Sequence, residues 1–227
     1  MHKSREIKTS LIKRLTRPFL FLDIDTLVLR DLSLLVGLPG EFLIAPDSNQ
    51  RKRRIRDKPE LEEWFRLRGW PVADMVAVNS GVWIARKADS VDRLGELWPK
   101  LWREGITDNP MDQPSLWTAV VQSNVDLNLI PDRYNALVLR DPKLMRTAHV
   151  AHFIRSLALG GSLLDDAVES YRATGVYPRQ LIQAAIRRSD PWRQNAEPWM
   201  YWKSGHFTKA AIEKGRRMLR LRANAIT

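Results

Sequence analysis

An α/β fold with a mainly parallel sheet is predicted for this chain by three observations. Short apolar runs of strand length alternate with stretches in which apolar residues recur every three or four positions. The first apolar run, FLFL, ends directly on two aspartates, Asp23 and Asp25. Apolar and charged contents of 44% and 28% in 227 residues are those of a packed globular chain, not a disordered one.

Taken in order, residues 5–16 place Ile7, Leu11, Ile12 and Leu15 at helical spacing, so a short amphipathic helix opens the chain. Pro18 breaks it, and PFLFLDID reads as a buried strand of the parallel-sheet kind. EFLIAP (41–46) and MVAVNSGVWIAR (75–86) are the next strands. Asp57, Pro59 and Glu60 signal a helix start that runs through LEEWFRLR to Gly69. Over 89–103, Val91, Leu94, Trp98, Leu101 and Trp102 share one helical face, and Asp112 is placed to cap PSLWTAVVQ. DLNLIP (126–131) and HVAHFI (149–154) read as short strands. Beyond about residue 160 the pattern turns helical, punctuated by Pro178, Pro191 and Pro198, and ends in a basic stretch. A core over 1–158 and a helical, basic region over 159–227 are therefore expected.

Composition narrows the chemistry. The chain has no Cys, which excludes disulfides, thiolate metal sites and a Cys nucleophile. No run approaches the roughly 18 apolar residues of a membrane span, and charges interrupt the basic start MHKSREIKTSLIKRL before any signal-peptide core forms. A cytoplasmic protein is expected. The formal charge of +11 favours anionic partners, among them phosphorylated small molecules, anionic lipid and nucleic acid.

The chemistry centres on FLFLDIDTLVLRDLS. Asp23 and Asp25 stand at i and i+2, so on an extended chain both carboxylates project to one face. They lie where an apolar strand runs out, the end at which open α/β sheets bind ligands. Two carboxylates so close repel unless a proton or a cation intervenes, and hard divalent cations such as Mg²⁺ or Mn²⁺ suit oxygen ligands. Haloacid-dehalogenase-like phosphatases also carry Asp-x-Asp after a strand, but they need Thr or Val four residues beyond the first Asp, where Leu27 stands here.

Several segments in order carry a resemblance. FLDIDTLVLRDLS, LIAPD (43–47), NSGVWIAR (79–86), DQPSLW (112–117), LIPDRYN (129–135) and HVAHF (149–153) are similar to successive motifs of the glycogenin-like, family-eight glycosyltransferases of the GT-A fold. That family includes bacterial lipopolysaccharide galactosyl- and glucosyltransferases. The likeness spans about residues 10 to 155.

The resemblance implies a retaining, metal-dependent transfer of a hexose from a nucleotide-sugar donor, a uridine diphosphate sugar, to a saccharide or lipid-linked acceptor. It implies that Asp23 and Asp25 hold Mn²⁺ or Mg²⁺ with His152 as third ligand, His149 being the alternative. Asn79 and Gly81 would approach the donor sugar and Asp47 its hydroxyls, while Asp112 and Gln113 would sit beside the anomeric carbon. Asp112 as a plain helix N-cap is compatible with the same sequence.

Two departures stand out. No Lys-Pro-Trp follows His152 to reach the diphosphate, although Arg155 is a basic residue nearby. Only about one helix and one strand precede Asp-x-Asp, where the family has several, so an incomplete transferase with little turnover of its own is expected. Other readings are a polyanion- or nucleic-acid-binding protein using RKRRIR (51–56) and the basic C-terminus, and a degenerate, non-catalytic relative; no nucleic-acid-binding motif is visible. The aromatic and basic residues of 199–222 lead to a further expectation, peripheral contact with the anionic inner membrane face.

Overall fold

The computed structural model describes residues 2–47, 59–71, 76–154, 156, 161–193, 198–203 and 207–224. RKRRIR (51–56) and Arg155 lie outside the described residues. The chain divides into two compact units, residues 1–24 with 30–135, and residues 25–29 with 136–227.

In the first unit, α1 (His2–Thr9) and α2 (Leu11–Arg14) lead to β1 (Phe19–Leu22). The single opening helix expected over 5–16 is thus two short ones. Then come α3 (Ser33–Val36), β3 (Phe42–Pro46), α4 (Pro59–Leu67), β4 (Val78–Ala85), α5 (Asp89–Gly105), α6 (Gln113–Ser123) and β5 (Leu127–Leu129). The strands pair in the order β1-β4-β3-β5; β4 runs antiparallel to β1 and to β3, and β3 runs parallel to β5.

All eight residues of β4 are buried, the polar Asn79 and Ser80 along with the apolar run Val82–Ala85. The face of α5 expected from spacing (Val91, Leu94, Trp98, Leu101, Trp102) is the face that is buried. Trp83 of β4 sits among Phe19, Phe21, Phe42 and Trp98, with ring centroids 4.9 to 5.8 Å away. Burial of one such aromatic contributes on the order of 2–3 kcal/mol. Gly95 of α5 lets α2 approach: a Cβ there would stand 2.7 Å from a methyl of Ile12.

In the second unit, β2 (Thr26–Val28), β7 (Val150–His152) and β6 (Ala136–Leu137) form a small sheet in that order, β2/β7 antiparallel and β6/β7 parallel. Helices α7 (Leu163–Thr174), α8 (Arg179–Arg188), α9 (Pro198–Lys203) and α10 (Phe207–Asn224) follow. Pro178 immediately precedes α8 and Pro198 opens α9, as ring-locked φ favours. A core of its own gathers Met145, Phe153, Leu163, Ile182, Trp192 and Tyr201.

The fold is mixed α/β with two mixed sheets. Among the described strands, three of the five pairings are antiparallel, so the expectation of a mainly parallel sheet is corrected. The physical reason is visible in β1. Its four apolar residues are only half-buried, because β1 is an edge strand and not an interior one. No helix among the described residues is long and apolar enough to cross a membrane.

Candidate metal centre and its carboxylate network

Asp23 continues β1 by one step. Its N–H donates to the Gly81 carbonyl (2.8 Å), extending the Leu22–Val82 register of the β1/β4 pair. The Asp23 carboxylate is therefore delivered at a fixed point, where the strand ends. Its Oδ1 accepts from the Ile24 N–H at 3.2 Å, and its Oδ2 lies 2.8 Å from Lys8 Nζ.

Lys8 organises what surrounds it. From α1 its ammonium reaches Asp23 Oδ2, Ser80 Oγ (3.0 Å) and Asp112 Oδ2 (3.1 Å), and it lies 5.3 Å from the centre of the Phe21 ring. Ser80 passes the chain on, its hydroxyl donating to Asp112 Oδ2 at 2.8 Å. The side chains of Lys8 and Asp112 are 11% and 9% exposed and that of Asp23 30%, so the Lys8–Asp112 pair is nearly dry and each charge has a partner. A bulge places Ser80. Between Ile44 and Ala45 the β3/β4 register jumps from Trp83 to Asn79, so Ser80, Gly81 and Val82 stand out of register with β3. Bulges of this kind redirect side chains next to functional sites.

Asp112 begins α6, yet its side chain makes no capping bond. The expected N-cap is realised by the backbone alone: the Asp112 carbonyl accepts from Leu116 N–H (3.1 Å), and also from Trp98 Nε1 (3.1 Å) and Ser115 Oγ (2.9 Å). The carboxylate is left to Lys8 and Ser80. One residue on, Gln113 Nε2 donates to Asp47 Oδ1 at 3.3 Å, and Asp47 is itself held by its N–H to the Ala77 carbonyl (2.8 Å). Asn79 is buried, and its Oδ1 accepts from the Gly81 N–H (2.9 Å) and from Asn135 Nδ2 (3.2 Å). Asn79 thereby stiffens the bulged stretch of β4 at Gly81, which holds Asp23.

Asp25 and His152 belong to the second unit. β2 and β7 pair Thr26 with His152, and the Asp25 carbonyl accepts from the Phe153 N–H at 2.8 Å. That register sets His152 Nε2 3.0 Å from Asp25 Oδ1, with His152 only 3% exposed. Asp23, Asp25 and His152 each offer one ligand atom, and these atoms lie within 4.8 Å of one another. His149 is not part of that group; its carbonyl accepts from Leu29 N–H.

The donor set fits a divalent cation. Two carboxylate oxygens and an imidazole nitrogen suit a hard or borderline ion, Mn²⁺ or Mg²⁺ among them. Neighbouring ligand atoms in an octahedral shell with bonds of about 2.1 Å stand about 3 Å apart, which is the Asp25–His152 separation.

Of the residues singled out in the sequence, Asp23, Asp25 and His152 come together, and so do Asp47 and Gln113. Asp112 joins Asp23 through Lys8, while Asn79 and Gly81 support Asp23 from β4. Lys8 and Ser80 were not foreseen. The available signal was spacing: Lys8 lies four residues before Ile12, which is 1% exposed, and therefore on the inward side of the opening helical stretch.

No family model matches the chain, and no curated protein matches its sequence.

Proposed function

We propose that this chain is a metal-dependent, retaining glycosyltransferase of GT-A type. It would move a hexose from a nucleotide-sugar donor, a uridine diphosphate sugar, to a saccharide or lipid-linked acceptor of the lipopolysaccharide kind, on the cytoplasmic side. The observation that carries this reading is the convergence of Asp23, Asp25 and His152. Together these residues would hold Mn²⁺ or Mg²⁺, and the ion's charge would offset that of the departing diphosphate.

The chain's own residues supply the rest. Lys8 and Ser80 hold the Asp112 carboxylate in one orientation, so its negative charge is in place for an oxocarbenium-like sugar without rearrangement. Gln113, oriented by Asp47, presents an amide dipole beside it, and Asp47 would contact sugar hydroxyls. Gly81, without a side chain, admits the donor close to the backbone. Lys8 holds the surplus negative charge of Asp23 and Asp112 in check, and nucleic acid has no part in this chemistry.

A panel of nucleotide sugars incubated with the full chain and Mn²⁺ tests the reading, with free nucleoside diphosphate and transferred sugar as readouts. One donor is expected to give a Mn²⁺-dependent thermal shift and slow turnover, and Asp25→Asn to abolish both while the chain stays folded. Absence of any donor-specific turnover or thermal shift, or undiminished activity in Asp25→Asn, contradicts it.

A further inference from the structure

The nine Trp residues divide unequally. Trp70, Trp83, Trp98, Trp102, Trp117 and Trp192 are buried, Trp64 is half-buried, and the two exposed ones, Trp199 and Trp202, both lie on α9. They have exposed apolar company. Trp202 packs edge-on against Phe207 at the start of α10, ring centroids 4.8 Å apart, and both rings are more than half exposed. Along α10, Phe207, Ala211, Lys214 and Met218 recur at i, i+4, i+7 and i+11 and therefore form one stripe, exposed at each of the four positions.

The inner side of the same two helices is accounted for. Tyr201 and Ala210 are buried, Tyr201 against Trp192 at 5.5 Å, and Lys209 is fastened to Asp190 at 2.7 Å. The stripe is thus not a core face waiting for its own unit. Of the four stripe positions only Lys214 is charged, and it is basic; nearby, Lys209 is paired with Asp190 and Arg216 with Glu213.

We infer that α9 and α10 form a docking surface for an anionic lipid bilayer. Trp and Phe rings favour the headgroup level, where an apolar ring body and a polar surrounding are both satisfied. Lys214, between Phe207 and Met218 on the stripe, can lay its methylenes along the apolar surface and lift its ammonium to lipid phosphates. The exposed aliphatic residues, Ile212 and Met218, favour lipid over a nucleic acid, whose phosphates and base faces give them nothing to bury against. An acidic protein partner would satisfy the charges but needs a matching pocket for each ring.

Vesicle flotation of the full chain, without Mn²⁺ or sugar donor, is the test, so the metal-site reading stands or falls separately. Vesicles of phosphatidylcholine alone are compared with vesicles of equal parts phosphatidylcholine and phosphatidylglycerol. The chain is expected to float with the mixed vesicles and remain below with the neutral ones. Lys214→Gln is expected to lower partitioning about five-fold, the worth of one basic residue at such a surface. Trp202→Ser with Phe207→Ser is expected to remove the binding that persists at raised salt. All three positions are exposed, and a circular dichroism spectrum confirms that the variants are folded. Equal recovery on the two vesicle types overturns the inference. So does anionic binding untouched by the Trp202 and Phe207 changes, which the overall charge alone would explain. Preferential binding of a duplex oligonucleotide that is lost in the same variants also overturns it, assigning the surface to nucleic acid.

Discussion

Helices α6 and α7 both begin with a buried or half-buried carboxylate, and the two carboxylates do different things. At α7, Ser162 and Asp165 form a reciprocal capping box, with Ser162 Oγ accepting from Leu164 N–H at 3.3 Å and Asp165 Oδ2 accepting from Ser162 N–H at 2.6 Å. The box satisfies the helix end, and Asp165 Oδ2 also accepts from Ser156 Oγ at 2.9 Å. At α6, Asp112 turns its side chain away from its own helix, and Lys8 and Ser80 hold it instead. The two carboxylates differ in their partners: that of Asp165 holds its own helix end, and that of Asp112 is held by a cation distant in sequence.

The largest effect is expected on the proposed transfer. Asp112→Asn keeps the size and the bond from Ser80 but loses the charge; turnover is expected to fall roughly hundred- to thousand-fold with little change in melting temperature. A matching loss of stability, with activity per folded molecule unchanged, would make Asp112 a fold element like Asp165.

Lys8→Met comes next. It leaves Asp23 and Asp112 without their shared counter-ion, and breaking a nearly buried pair costs about 3 kcal/mol. Urea denaturation measures this, and added Mn²⁺ is expected to restore more stability to the variant than to the parent chain, because it supplies the missing positive charge beside Asp23. A variant as stable as the parent would show that Lys8 contributes only packing.

Ser162→Ala is expected to cost about 1 kcal/mol with no effect on transfer, the value of one helix cap. The smallest effect is on the acid limb of stability. Burial pushes the Asp165 pKa up, but hydrogen bonds from the Ser162 backbone and the Ser156 and Ser162 hydroxyls, with Arg193 nearby, outweigh it and hold it below the usual carboxylate value. A depressed carboxylate pKa contributes stability above the unfolded-state value, and the contribution is lost as pH falls through the folded-state value. Asp165→Asn should therefore flatten the fall in stability below about pH 4, seen in urea midpoints measured against pH.

Much of this was legible where burial alone decides. The apolar run Val82–Ala85 of β4 and the 3.6-residue spacing of α5 state their own burial, and the elements stand within about three residues of the expected bounds. Strand direction was not legible. FLFL reads as an interior strand because apolar content reports burial and not partner or polarity; β1 is instead an edge strand antiparallel to β4. Nor does composition reveal that Asp25–Leu29 leaves the first unit to pair with a strand more than a hundred residues later. The composition change near residue 160 marks where helices take over, whereas the contact boundary lies at 135/136. Within the site, Asp23, Asp25 and His152 were foreseen together, while Lys8 looked like one more surface cation in a chain with 37 basic residues.

Mn²⁺ itself can report whether Asp23, Asp25 and His152 make one metal site. Pulsed electron paramagnetic resonance of Mn²⁺ added to the full chain is expected to show coupling to a single imidazole nitrogen, lost in His152→Gln, with Mn²⁺ affinity falling sharply in Asp25→Asn. Mn²⁺ that shows no nitrogen coupling, or that binds Asp25→Asn as tightly as the parent, would show that the three residues do not form one site.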